Sequence, residues 1–325
     1  MKRRTFQRFL GAAAVAPLAA QAQGAYPSRT IRIIVPYPAG GASDFLARLV
    51  GDRLGKVLGQ SVIIENRSGA SGSLGMSEGA RAASDGYTLV LAASDAMVNN
   101  AALFKSLSYD PQRDFVLLTK SVFSPALISA NSELAVKSMG DLKRFIADRR
   151  PSLSYGSWGI GSLGHIAGEA LSKQLKGGFV HVPQRGEALV LNDLLTKSIS
   201  FGVTSAGIAR QHVAAGKINA LGILGRERSN VLPSVPTLRE QGFVDPIFDA
   251  GVWLGFIVPA RTPGDIVQRL TNEIRTIVGQ PDVTAAMAER GLEVINTTAE
   301  QFRLGYQAEF EIITQKIREA GIEPQ

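Results

Sequence analysis

Short apolar runs alternate with amphipathic stretches in the first part of this chain. The runs are flanked by Gly, Ser or Asp, as buried strands usually are, and lie at Ile31 to Pro36, Ser61 to Glu65 and Tyr87 to Ala92. After the first run, apolar residues recur at helical spacing from Phe45 to Leu54, with Ser43 or Asp44 placed as the N-cap. This β-α-β-α-β order predicts a mostly parallel sheet covered by helices on both faces.

The middle of the chain repeats this alternation. At roughly 150 residues per domain, the 325-residue length allows two domains, and 45% hydrophobic residues suffice for two buried cores. The sequence therefore predicts a second α/β lobe. Its strands are expected at Leu153 to Gly156, Phe179 to Pro183, Ser200 to Val203 and Ala220 to Leu224, and its helices at Leu163 to Leu175, Ala188 to Leu195 and Ile208 to Ala214.

The carboxyl-terminal part holds too few elements for a third lobe. One apolar run, Val252 to Val258, precedes three helical patterns that end at Ile322, so we expect this tail to pack back on the first lobe. The chain then crosses between lobes twice, near Val122 to Ala126 and near Gly242 to Ala250. Two crossings form a hinge, and strand ends from two doubly wound lobes face a central cleft. The predicted division is a leader over 1–22, a first lobe over 26–122 and 248–325, and a second lobe over 123–247.

The leader has the composition of a signal peptide. A basic start is followed by an apolar stretch and by Ala20-Gln21-Ala22, which suits cleavage before a mature chain that starts near Gln23. The apolar stretch is too short for a spanning helix, so we expect a soluble, exported protein. Arg3-Arg4 leaves two export routes open, the general secretory route and the twin-arginine route.

Composition excludes several classes of function. The chain has no Cys and three His, which argues against disulfides, thiolate nucleophiles, metal centres and iron–sulfur cofactors. Its formal net charge is +7, but four of the positive charges lie in the leader. The remaining +3 does not indicate a nucleic-acid partner, and no pattern demands a dimer, so we expect a monomer without cofactor.

The first candidate binding loop joins a strand to a helix. Its glycines allow bare backbone N–H groups to face a ligand, and the following helix N-terminus adds about half a positive charge, which together suit an anion. A tight turn that needs glycine for its dihedral angles is the alternative. The candidate residues are Tyr37, Pro38, Ala39, Gly40, Gly41 and Asp44.

The second candidate loop follows the third predicted strand. Ser94 is expected to donate its hydroxyl to a ligand carboxylate. Asp95 is expected to cap the next helix, and the alternative is that it accepts from a ligand amine.

The third candidate loop is rich in glycine. Gly159-x-Gly161-x-x-Gly164 formally matches a dinucleotide-binding fingerprint, but the acidic residue expected about 20 positions later is replaced by Gln184-Arg185. We therefore interpret this loop as a nest for one anionic group beside a helix N-terminus. Its candidate residues are Ser157, Trp158, Gly159, Gly161 and Ser162.

Two further candidates end the next strands. Arg185 is placed to form a bidentate pair with a carboxylate, or else to be a solvated charge at the rim. Thr204 follows the strand after it.

No catalytic constellation stands out. His165 and Glu169 are four residues apart, yet no second metal-ligand motif accompanies them. His181 lies within an apolar strand, where a satisfied core imidazole is expected. Ser162 lacks the G-x-S-x-G elbow of a serine nucleophile, so the sequence favours a protein that is not an enzyme.

Five motifs together resemble one family, the Bug proteins, which are extracytoplasmic solute receptors of tripartite tricarboxylate transporters. The runs are VPYPAGGASD, SYGSWGIGSLGHIAGE, HVPQRGEALVLNDLL, ARQHVAAGKINALGI and LPSVPTLREQGF. The resemblance implies a periplasmic binding protein of Venus flytrap architecture that closes on a small carboxylate and presents it to membrane transporter subunits. It places the ligand carboxylate at Tyr37 to Gly41 and at Ser157 to Ser162.

Three departures from the family pattern bear on the ligand. Trp158 stands where Pro is frequent, Gln184-Arg185-Gly186 where Tyr-Lys-Gly is frequent, and Thr204 where Asp is frequent. The missing acid at Thr204 predicts that an amino-acid ligand binds less well. A Trp beside the anion nest predicts stacking on an aromatic acid, and a dicarboxylic ligand is the other expectation. A periplasmic sensor and an exported hydrolase using Ser162 or His165 remain the alternative functions.

Overall fold

The protein is described from a computed structural model covering residues 26–149 and 152–324. The predicted leader over 1–22 and its cleavage near Gln23 lie outside these residues. Among the described helices, none combines the length and the apolar content needed to span a bilayer.

The strands form two sheets. The first contains β1 (Ile31–Val35), β2 (Val62–Asn66), β3 (Thr88–Ala93), β4 (Phe115–Ser124), β10 (Val252–Pro259) and β11 (Glu293–Val294), in the order β11-β4-β10-β3-β1-β2. The second contains β5 (Ala126–Asn131), β6 (Ser154–Ser157), β7 (Val180–Pro183), β8 (Phe201–Ser205) and β9 (Ile218–Leu224), in the order β7-β6-β8-β5-β9.

Helices cover both sheets. They are α1 (Ala42–Leu58), α2 (Ser73–Ala80), α3 (Asn100–Leu103), α4 (Met139–Arg149), α5 (Leu163–Leu175), α6 (Glu187–Leu195), α7 (Ala206–Ala214), α8 (Gly264–Val278), α9 (Pro281–Glu289) and α10 (Ala299–Glu319). A π-helical turn over Asp95–Asn99 leads into α3. The two-lobed α/β fold class expected from the sequence is confirmed.

Both sheets are mixed, so the prediction of mostly parallel sheets is wrong. Strand β1 runs parallel to β2 and β3, but β10 is antiparallel to β3 and to β4. In the second sheet β6 is parallel to β7 and β8, whereas β5 is antiparallel to β8 and β9. Parallel neighbours need a long crossover connection. Strands β5 and β10 follow passages between the sheets and enter their sheets without such a helical crossover.

The first passage between the sheets is very short. Strand β4 ends at Ser124 in the first sheet, and β5 begins at Ala126 in the second, with Pro125 between them. Strand β4 is not predicted from the sequence, because polar residues interrupt its apolar run. Thr119 is nevertheless fully buried. Its burial is tolerated because its hydroxyl donates a hydrogen bond of 2.8 Å to the carbonyl of Thr297.

Helix α1 shows why the local sequence folds as predicted. Leu46, Val50 and Leu54 recur at helical spacing and are fully buried, and Gly59 ends the helix in the left-handed region with φ 67°. The predicted N-cap is wrong, because the helix begins at Ala42 with Gly41 as N-cap and without a side-chain cap. Neither Ser43 nor Asp44 can cap it from inside the first turn.

Helix α10 runs along the edge where the chain passes between the sheets. The Tyr306 hydroxyl donates to the carbonyl of Met97, 2.9 Å away. Further along, Lys316 Nζ lies 2.8 Å from Asp245 Oδ2, in the segment before β10. The helix is therefore fastened at two points, one beside the π-helical turn and one beside the second passage.

Candidate functional site

A cavity of about 300 Å³ lies between the two lobes, at the strand ends where the sequence predicts a cleft. Hollows elsewhere on the described surface are larger, and one of about 460 Å³ lies between α5 and α10, away from those strand ends. The first lobe lines the cavity with Tyr37, Ala42, Ser43, Ala93, Asp95, Val252, Leu254 and Leu292. The passage and the second lobe add Ser124, Ala126, Trp158, Gly186, Glu187 and Ser205.

Asp44 fixes the conformation of the loop between β1 and α1. The Asp44 carboxylate accepts from the backbone N–H of Gly40 at 2.9 Å and pairs with Arg48 at 2.9 Å. The hydrogen bond from Arg48 is the main reason that the pKa of Asp44 lies below its usual value. Asp44 therefore shapes the loop and does not line the cavity. Pro38, Ala39, Gly40 and Gly41 are exposed beside it.

The predicted cap at Asp95 is wrong. No side chain caps the π-helical turn, and the Asp95 carboxylate instead lines the cavity and accepts from the indole N–H of Trp158 in the other lobe. Burial raises the pKa of Asp95 to about 6, although the indole opposes that shift. Ser94 is buried and lies outside the cavity lining.

The glycine-rich loop rests on the first lobe. Asn99 donates to the carbonyl of Gly161 at 2.8 Å, and a Cβ on Gly161 would lie 2.2 Å from Leu103, so this position needs glycine. The Ser162 hydroxyl caps α5 by accepting from the His165 N–H at 3.3 Å and donates to Gly159 at 2.7 Å.

Within that loop, one predicted residue reaches the cavity. The Trp158 indole lines it and covers the start of α5, since a Cβ on Gly164 would lie 3.0 Å from the ring. Ser157 instead forms a hydrogen bond of 2.8 Å with Nε2 of His181. Ser157, Gly159, Gly161 and Ser162 therefore lie outside the lining of the cavity.

Arg185 and Thr204 also lie outside that lining. Arg185 is exposed. Thr204 is fully buried, and its hydroxyl has no hydrogen-bond partner among the described residues. Their sequence neighbours take part instead, because the Ser205 N–H donates to Glu187 Oε2 at 2.8 Å and both residues line the cavity.

Several lining residues are absent from the sequence-based candidates. Glu187 begins α6 four residues after the end of β7, and its place in a strand-to-helix connection is a usable signal. Leu254 and Leu292 come from the distant tail. No local pattern marks them, since they meet the cavity only through the pairing of β10 and the path after α9.

Two stacked imidazoles support the glycine-rich loop from behind. The rings of His165 and His181 lie 3.8 Å apart at 6°, and the Gly161 N–H donates to His165 Nδ1 at 2.9 Å. Burial lowers the pKa of His181 to about 4, and the neighbouring His165 adds to this shift. His165 Nε2 stands 4.0 Å from Glu169. Residues 26–149 and 152–324 hold no group of three acidic or histidine side chains suited to a metal ion.

The lobes touch at the rim of the cavity. Backbone meets backbone between α7 and the turn after α9, where a Cβ on Gly207 would lie 2.8 Å from the Arg290 carbonyl and 3.1 Å from Gly291. Arg210 donates to the carbonyl of Glu289 at 2.8 Å. These contacts and the Trp158–Asp95 bond describe a closed arrangement of the lobes.

Comparison with known proteins agrees with this geometry. The family model for the tripartite tricarboxylate transporter family receptor matches residues 46–321. Protein BugT of Bordetella pertussis is 30% identical over 297 residues, covering 91% of this chain and 90% of the relative. The structure of Rpa4515 from R. palustris with adipate has a TM-score of 0.80 at 29% identity, covering 92% of this chain and 100% of that chain. MatC (Rpa3494) from Rhodopseudomonas palustris with bound malate has a TM-score of 0.74 at 29% identity, covering 90% and 100%.

Proposed function

The chain belongs to the tripartite tricarboxylate transporter receptor family, and on that premise we propose that it captures a small organic carboxylate between its lobes in the periplasm. The loaded, closed form is then presented to a membrane transporter of the tripartite type. The observation that carries the proposal is the cavity at the uncapped N-terminus of α1. The solved relatives with adipate and malate support the class of ligand.

The start of α1 supplies the carboxylate anchor. Gly41 provides no side-chain cap, and Ala42 and Ser43 of the first turn line the cavity. First-turn N–H groups lack partners within a helix and carry part of its positive macrodipole. They therefore suit a carboxylate without any Lys or Arg. Because the helix already orients these donors, little ordering is needed on binding.

Closure of the lobes supplies the remaining affinity. A micromolar dissociation constant corresponds to about 8 kcal/mol. Charge-assisted hydrogen bonds at about 1.5–3 kcal/mol each, together with burial of the ligand body, are sufficient for such a value. Contacts between the lobes, such as the Trp158–Asp95 bond, form at the same time and favour the closed state. Recognition by this route requires no covalent step.

Titration calorimetry with hexanoate, adipate, malate and citrate tests the proposal. We expect at least one of these carboxylates to bind and to raise the midpoint of thermal unfolding. Ala42→Pro removes one N–H at a helix position that favours Pro, and Gly41 before it is already extended. This variant is expected to weaken binding about tenfold.

Ala299→Pro is the matched control, because Ala299 is the first residue of α10 and lies away from the cavity. It is expected to bind as the unchanged protein does. The proposal is overturned if none of these four carboxylates binds and 6-aminohexanoate, an amino carboxylate, does not bind either. Equal binding by Ala42→Pro and Ala299→Pro overturns the anchor at α1.

A further inference from the structure

The charged side chains that line the cavity share one sign. Asp95 and Glu187 are both acidic, and no Lys, Arg or His joins them in the described part of the chain. They come from different lobes, since Asp95 follows β3 and Glu187 begins α6. A ligand enclosed between the lobes therefore meets two carboxylates and no cationic side chain. That is unfavourable for a second carboxylate on the ligand.

Asp95 is a half-buried carboxylate without a cationic partner among the described residues. Its donor is the neutral indole of Trp158, and burial together with Glu309 raises its pKa. Lys120 is engaged elsewhere, with Nζ 3.3 Å from Glu309 and 4.8 Å from the centre of the Trp253 ring. A ligand in the cavity removes this carboxylate further from water, and buried charges in proteins are normally paired. The partner missing from the protein is a cation that the ligand can bring.

Apart from Ser43, Ser124 and Ser205, most of the remaining cavity wall is apolar or aromatic. Leu254, Leu292 and Val252 line the side of the first lobe, and the Trp158 ring lines the other. The faces of these side chains provide no hydrogen-bonding group for a polar ligand body. They suit a hydrocarbon spacer between the polar ends of a ligand.

We propose that the ligand is an amino carboxylate, with its carboxylate at the start of α1, its ammonium between Asp95 and Glu187, and an apolar spacer in contact with Trp158. This inference rests on the proposed function, because it assumes the carboxylate anchor. It also replaces the expectation that Thr204 makes an amino-bearing ligand less favourable. That expectation took no account of Glu187 or of the position of Asp95 in the cavity lining.

Three ligands of equal chain length test the inference: hexanoate, adipate and 6-aminohexanoate. They differ at one end, which is a methyl, a carboxylate or an ammonium group. We expect calorimetry at pH 7.5 to give 6-aminohexanoate an affinity at least tenfold above adipate, with hexanoate between them. Benzoates carrying methyl, carboxylate or aminomethyl groups at the para position repeat the comparison with a planar spacer for Trp158.

Asp95→Asn separates the charge from the shape of this side chain. We expect it to weaken 6-aminohexanoate at least tenfold, to strengthen adipate and to leave hexanoate within twofold. Asp52→Asn is the control, since Asp52 is an exposed carboxylate on α1 that pairs with Lys56 at 2.7 Å, and it is expected to change none of the three. Thermal unfolding without ligand confirms that each variant is folded.

The outcomes separate the two proposals. If hexanoate or adipate binds but 6-aminohexanoate binds no better than adipate, the amino carboxylate is overturned while the carboxylate receptor stands. An unchanged preference in Asp95→Asn overturns the role of Asp95. If no member of either series binds, both proposals fail together.

Discussion

Asp95 is expected to lower the stability of the ligand-free protein, and Asp95→Asn is expected to restore it. The carboxyl lies in the cavity without a cation, and burial raises its pKa to about 6. Between about pH 4 and pH 6 the folded chain keeps a proton that the unfolded chain has lost. The stability contributed by this group is therefore present at low pH and is lost as the pH rises through about 6.

The size of the effect follows from the shift in pKa. The rise from 3.8 to about 6 is roughly two units, which at 1.36 kcal/mol per unit gives a ceiling of about 3 kcal/mol above pH 7. The Asn amide still accepts from Trp158, but its NH₂ group must also be satisfied, which costs about 1 kcal/mol. We expect a net gain of about 1–2 kcal/mol for Asp95→Asn at pH 7.5.

Chemical denaturation at several pH values measures this gain. The difference in unfolding free energy between Asp95→Asn and the unchanged protein is expected to be small at pH 5, to widen through pH 6 and to level off by pH 7.5. Asp52→Asn, at an exposed ion pair, controls for the loss of a negative charge. A variant that is less stable at pH 7.5, or a difference that does not depend on pH, refutes the reasoning about Asp95.

Three further predictions concern the surroundings of the cavity. Thr204→Val removes a buried hydroxyl without a described partner, so we expect a gain of about 1 kcal/mol in chemical denaturation and unchanged ligand affinity; a loss of either shows that the hydroxyl is used. Gly207→Ala favours α7 by about 1 kcal/mol but places a Cβ 2.8 Å from the carbonyl of Arg290 in the other lobe. We therefore expect calorimetry to show about tenfold weaker ligand binding, without loss of stability. Unchanged binding contradicts the close contact between the lobes at this point. Because the pKa of His181 is lowered to about 4, the unfolded chain takes up a proton at a higher pH than the folded chain does. The free energy of unfolding is therefore expected to fall by at most about 3 kcal/mol between pH 6.5 and pH 4. His181→Gln is expected to reduce this fall in chemical denaturation, and an equally steep pH profile argues against this histidine as its source.

The sequence predicts the lobes because most of their strands are short runs with few polar residues, such as β3 and β9. The helical spacing from Leu46 to Leu54 likewise becomes the buried face of α1. Strand β4 is not predicted in this way, because it contains the polar residues Thr119 and Lys120. Both residues have partners in the distant carboxyl-terminal part of the chain, a backbone carbonyl for Thr119 and a carboxylate for Lys120. Local pattern cannot show such partners.

The candidate site divides in the same way. Tyr37, Asp95 and Trp158 follow strand ends and do line the cavity. The loop of Ser157 and Ser162 has the composition of an anion nest, yet its hydroxyls are occupied by its own backbone and by His181. Whether a glycine-rich loop faces a ligand or a neighbouring lobe depends on docking between lobes, which a single stretch of sequence does not encode.

The two contacts that hold α10 constrain how the two lobes can move apart. At 21 residues the helix is about 31 Å long, and it is tied to Met97 at one point and to Asp245 at another. One contact holds the helix to the π-helical turn of the first lobe and the other holds it beside the second passage, so the helix ties the lobes together along one edge. We expect the lobes to separate along the opposite edge. The two contacts of α10 are expected to resist a twist of one lobe against the other. We therefore expect the cavity to open on the side of the protein away from this helix.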